Sequence, residues 1–145
     1  MYKHILIATD GSELADKAVT HGLSLAKAIG AKVTAVTVSE PWAAAAPGEV
    51  AIAFPVEDYE AAVSAEARQV LAAAGAAAQR HGVACDTIHV KDRFPAEGIL
   101  ETAGKKGCDL IVMASHGRRG LAKLLLGSQA VEVLTRSTVP VLICR

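Results

Sequence analysis

Residues 109–128 read DLIVMASHGRRGLAKLLLGS. The first six, Asp109–Ala114, are a continuous apolar run between polar neighbours, the pattern of a central strand covered on both faces. A sheet with helices on both faces needs crossover connections, and those connections make its strands parallel. After the run comes a glycine-bearing loop, Ala114-Ser115-His116-Gly117-Arg118-Arg119-Gly120, which continues to Gly127-Ser128. A helix is predicted to start there, so the loop would lie at the carboxyl end of a parallel strand, where open α/β sheets bind ligands.

The rest of the chain supports this frame. His4–Thr9 (HILIAT) is β-branched and aliphatic, and Asp10-Gly11-Ser12 supplies a turn and a helix cap. From Ser12 to Ile29 the apolar positions Leu14, Ala18, Gly22, Leu25 and Ile29 recur at helical spacing, with Gly30 as a stop. Lys32–Val38 (KVTAVTV) returns to strand character, and Ser39, Glu40 and Pro41 end it. Residues 39–55 contain Pro41, Pro47, Gly48 and Pro55 without a stable period, which predicts a long loop. A long helix is expected from Val56 to Arg80, with Tyr59, Val63, Ala67, Val70, Leu71, Ala74 and Ala78 as its apolar stripe. Then follow a strand over Ala84–Val90, a helix from Pro95 to Gly107, the central run, and a helix over Ser128–Arg136 with Val131 and Leu134 inward. The last strand is Val139–Cys144, where Pro140 lacks an amide hydrogen and favours a sheet edge. Right-handed crossovers then give one doubly wound, Rossmann-like α/β domain over residues 1–145.

Composition narrows the function classes. Of 145 residues 52% are hydrophobic, enough to build a packed core, while aromatics are only 3%, so Ala, Val, Leu and Ile must fill it. Lys plus Arg equal Asp plus Glu at 15 each, so no overall field would hold the chain on nucleic acid or a membrane. Met1–Lys3 leads straight into a strand, and neither a signal peptide nor a membrane span is visible. Cys85, Cys108 and Cys144 are an odd set without Cys-x-x-Cys spacing, which suggests small core residues in a reducing cytoplasm.

Four features of the loop after the central run favour an anion. Glycines admit backbone amides to phosphate oxygens, a helix start adds free N–H groups, Ser128 offers a hydroxyl, and Arg118, Arg119 and Lys123 add charge. Plainer roles stand beside each of these. Arg118, Arg119 and Lys123 suit a solvated basic face, Asp10 could simply bond turn amides, and His116 could support the backbone. Trp42 could cover a pocket or meet a partner.

In order and spacing, the opening ATDGS, the S-H-G-R segment, the LLLGS segment and the closing VPVLI resemble the universal stress protein family over essentially the whole chain. Gly117, nine residues and Gly127-Ser128 are similar to the second half of that family's nucleotide motif, whose first glycine position here holds Ala114. The resemblance implies a five-stranded parallel sheet in the order 3-2-1-4-5 with helices on both faces. It also implies an adenine nucleotide, ATP or AMP, with or without Mg2+. Asp10 and Val38 would border the base, Ala114, His116 and Gly117 the ribose and inner phosphates, and Gly127, Ser128 and Gln129 the outer phosphates. Met113 would help wall the pocket. Family members commonly pair through the last strand, so a homodimer through Val139–Ile143 is expected.

The expected role is a stress-response regulator or sensor. The alternatives are a ligand-free interaction module and a slow ATPase or autophosphorylating protein using Ser128. Efficient phosphoryl transfer is disfavoured, since no Gly-Lys-Ser/Thr segment and no clear carboxylate pair for magnesium is present. A flavin carrier fares worse, because the loop after strand one is short and few aromatics are available to stack on the ring. Replacing Gly127 by valine is expected to block phosphate approach and leave the fold intact.

Overall fold

The central run forms strand β4, Leu110–Ala114, and all five of its residues are buried. In this computed structural model, residues 1–46, 48–49, 53–118 and 125–145 are described. In chain order the other elements are β1 (His4–Ala8), α1 (Glu13–Ile29), β2 (Lys32–Ser39), α2 (Trp42–Ala45), α3 (Val56–His81), β3 (Cys85–Lys91), α4 (Pro95–Lys106), α5 (Ser128–Arg136) and β5 (Val141–Cys144). The strands form one parallel sheet in the order β3-β2-β1-β4-β5. Ile5 pairs with both Val33 and Leu110, so β1 lies at the centre between β2 and β4.

Strand alternation builds two cores. Ile5, Ile7, Leu110 and Val112 face α1 and the end of α3, where they meet Ala18, Leu23, Ala26 and Ala78. Leu6, Val36, Ile111 and Met113 face α4 and α5, where they meet Ala96, Ile99, Ala103, Ala130 and Val133. From β1 the chain winds outward through β2 to β3, then returns to the other side of β1 for β4 and β5. The order therefore reverses between β1 and β4, and the loops leaving their carboxyl ends diverge there.

Several local expectations change. The β4 strand starts at Leu110, and just before it the Asp109 carboxylate accepts the Lys3 and His4 amides at 2.9 and 3.0 Å and so ties β1 to β4. The β5 strand starts at Val141 because Pro140 offers only its carbonyl, which accepts the Ile111 amide at 3.0 Å. Helix α1 buries Ala15, Ala18, Val19, Gly22, Leu23 and Ala26, a face rotated from the expected stripe, and Ile29 is 37% exposed. Close packing selects that face: a Cβ at Gly22 would stand 2.6 Å from Ile7 Cδ1, so the helix rests on the sheet through its small residues.

On α5 the inward residues are Ala130 and Val133, whereas Val131 and Leu134 are 46% and 41% exposed. The helix packs in the groove between α4 and the sheet, and that groove admits the face 100° away from the expected one. Only Ala67, Ala74 and Ala78 of the α3 stripe are fully buried, because the amino-terminal half of that helix extends past the sheet. The 39–55 segment, expected to be a loop, contains the short helix α2, whose four residues are too few to show a period. Trp42 Nε1–H donates to the Phe54 carbonyl at 2.9 Å and so ties this segment together.

Candidate functional site

A cleft of about 670 Å3 opens where the sheet order reverses. Small-molecule sites usually measure about 300–1,000 Å3, so the volume suits a ligand of nucleotide size. Its walls are the ends of β1, β2 and β4, the start of α5 and the overhanging half of α3. All nine residues singled out from the sequence, Asp10, Val38, Met113, Ala114, His116, Gly117, Gly127, Ser128 and Gln129, line it.

The floor is held together by Asp10. Its Oδ1 accepts the Ser12 amide and its Oδ2 the Arg118 amide, each at 2.9 Å, so one carboxylate joins the β1 loop to the β4 loop. Gly117 permits this approach, since a Cβ there would lie 3.0 Å from Asp10 Oδ2. Gly11, between Asp10 and the helix cap Ser12, has a φ of 78°, a left-handed conformation that a side chain would strain. Ser12 Oγ then accepts the Ala15 amide at 3.2 Å and starts α1.

The far wall is the junction of β4 and α5. The Ser115 carbonyl accepts the Gly127 amide at 2.7 Å, while the Ser115 amide donates to the Cys144 carbonyl at 2.8 Å. A Cβ on Gly127 would stand 3.2 Å from that Ser115 carbonyl. A valine at position 127 therefore bears on this junction as well as on phosphate approach, because the Ser115 carbonyl must give by a few tenths of an ångström to admit it. No side chain caps α5 at Gly127, so the free amides of its first turn and the positive end of its dipole meet the cleft at Ser128. Beside them His116 shares a hydrogen bond of 2.9 Å between its Nδ1 and Ser115 Oγ. Its Nε2 is buried without a hydrogen-bond partner, the single side-chain atom of that kind among the described residues.

Two site residues have additional structural work. Gln129 Oε1 accepts the Ala96 amide at 2.9 Å, so this side chain caps α4 across the sheet face. Arg118 pairs with Glu66 of α3 over the cleft mouth, with both side chains about half exposed. Arg119 and Lys123 lie outside the described residues. Met113 and Ala114 are both nearly buried and pack into opposite cores, Met113 toward α4 and Ala114 toward α1. The Ala114 methyl group, in place of the motif glycine, is thus accommodated in the core on the α1 side.

Sequence reading missed the roof and, apart from Val38, the β2 wall. Tyr59, Val63, Glu66 and Val70 of α3 line the cleft, as do Thr37 and Ser39 of β2. The available signal was the apolar stripe of α3, which is longer than a sheet of this size can cover. Tyr59 O–H donates to the Glu40 carbonyl at 2.7 Å and fixes the roof to the end of β2. Ser39 Oγ lies 2.7 Å from Nε2 of His89. Burial, with help from Lys91, holds the His89 pKa below its usual value, so the ring is neutral at pH 7.

Trp42 does not line the cleft. Burial raises the thiol pKa of Cys85, Cys108 and Cys144, with Cys108 pushed up to about 11, which fits packing better than redox chemistry. Among the described residues, no three His, Cys, Asp or Glu side chains are grouped to hold a metal ion. No helix among them is long and apolar enough to cross a membrane.

The universal stress protein family model matches residues 1–145. The chain is 34% identical to universal stress protein MJ0531 of Methanocaldococcus jannaschii, an alignment covering 100% of this chain and 83% of the relative. It is 32% identical to universal stress protein YxiE of Bacillus subtilis, with 100% of each chain covered. A universal stress protein whose crystal structure was solved in complex with cAMP superposes with a TM-score of 0.74 at 28% identity, covering 99% of this chain and 97% of that one. A full-length family match, full-length relatives above 30% identity and a sheet in the order 3-2-1-4-5 agree, and the chain belongs to the universal stress protein family.

Proposed function

We propose that the cleft binds an adenine nucleotide, ATP or AMP, and that the protein is a stress-response regulator or sensor whose state the nucleotide sets. The uncapped start of α5 carries this reading: its free amides meet the cleft at Ser128. These are donors that a phosphorylated ligand satisfies. The likeness to a universal stress protein solved with cAMP supports an adenine base.

In this reading Asp10 and Val38 border the base, and Asp10 acts chiefly by holding the two loops in register. His116 and Gly117 follow the ribose and inner phosphates. The amides of Ser128 and Gln129 hold the outer phosphates, the Gln129 side chain being engaged on α4. A bound phosphate also competes with Glu66 for Arg118, which gives the ligand a route to reposition α3. Residues 1–145 act as one cytoplasmic domain. The edge strand β5, bonded to β4 on one side, pairs with its copy in a homodimer.

Calorimetric titration of nucleotide-stripped protein with ATP, AMP, cAMP and GTP tests the reading. Saturable binding of the adenine nucleotides, with GTP weaker, is expected. Silence with all four overturns it in favour of a ligand-free interaction module.

A further inference from the structure

Ser39 ends β2 and lines the cleft next to Val38. Thr37 is the register partner of His89, so Ser39 stands diagonally across the β2–β3 ladder from the imidazole, and the two side chains meet at 2.7 Å. A hydroxyl carries one proton and two lone pairs, and a neutral imidazole carries one ring nitrogen that accepts. Which partner donates is set by the imidazole tautomer. With the ring proton on Nδ1, the Ser39 O–H donates to His89 Nε2 and Ser39 offers the cleft only lone pairs.

We propose that Ser39, oriented by His89, reads the base of the bound nucleotide: it accepts a hydrogen bond from an exocyclic amino group and disfavours a carbonyl oxygen in the same place. This rests on the nucleotide reading above and assigns its base selectivity to one hydroxyl. Adenine presents an amino group at that edge, whereas hypoxanthine presents a carbonyl. A carbonyl facing the Ser39 lone pairs would leave two acceptors opposed without a proton between them. One neutral hydrogen bond in a partly open cleft corresponds to a preference of about tenfold.

Affinities for ATP and ITP, which differ in the C6 group and in the proton that ITP carries on the adjacent N1, are measured by calorimetry for the full chain and for Ser39→Ala, Ser39→Thr and His89→Phe, the Ser39 variants isolating the C6 contact. The unmodified protein is expected to prefer ATP by about tenfold. Ser39→Thr keeps the hydroxyl and most of the preference, Ser39→Ala brings the ratio near one, and His89→Phe lets the serine proton turn to the cleft and raises ITP affinity. A merely structural role for Ser39 would weaken both nucleotides together and leave the ratio unchanged, which overturns the inference. Equal binding of ATP and ITP by the unmodified protein also overturns it while leaving the nucleotide reading intact. Binding of neither nucleotide removes both.

Discussion

Replacing Asp10 tests whether the cleft depends on a loop clamp or on a direct ligand contact. The carboxylate accepts two amide hydrogen bonds, from Ser12 and Arg118, each at 2.9 Å. A hydrogen bond to a charged acceptor contributes about 1.5–3 kcal/mol, and the solvent-exposed position of the Arg118 bond places both at the low end. Asp10→Ala is therefore expected to cost about 3 kcal/mol. For a chain of this length that lowers Tm by roughly 6–12 °C. Asp10→Asn keeps one acceptor oxygen and loses about half as much. Urea unfolding read by circular dichroism gives the stabilities, and calorimetry gives the nucleotide affinities. Affinity should fall in step with stability across the two variants, because a free β4 loop must be ordered by the ligand. If Asp10→Ala leaves stability within about 0.5 kcal/mol of the parent and still abolishes binding, the clamp is refuted and Asp10 acts on the ligand directly.

Two more outcomes follow from the same geometry. Gly127→Val should destabilise the protein by about 1–3 kcal/mol as well as weaken binding, because its Cβ meets the Ser115 carbonyl at 3.2 Å; unchanged urea stability would refute that packing. His4 and His89 have folded-state pKa values below 6.5, mainly from burial, so the unfolded chain binds more protons around that pH. Stability should be complete above about pH 6.5 and fall as pH drops through it, levelling below the folded values. Urea midpoints from about pH 8 to 5 should show this slope, and His4→Gln should flatten it; a level profile in the parent would contradict the assignment.

The alternation of apolar runs, helical stripes and glycine stops was enough to read five strands and their helices. Buried parallel strands such as Leu110–Ala114 have a composition that few other structures share. The nine site residues were legible through the resemblance to the universal stress protein nucleotide motif, and they line the cleft at the strand ends and the start of α5. Local pattern could not show which face of a helix would be buried. Val131 and Leu134 suit a core as well as Val133 does, and only the fit of α5 between α4 and the sheet decided between them. Nor could it show long-range partners: Ser39 with His89, Glu66 with Arg118, and Gln129 with the α4 amide are joined by the order in which strands and helices pack. Period and propensity are properties of about ten neighbouring residues, so they specify the elements and the ends from which the site is built. The roof of the cleft, the clamp on its floor and the hydroxyl at its β2 wall require residues tens of positions apart to meet, and that meeting is set by how the helices pack on the sheet.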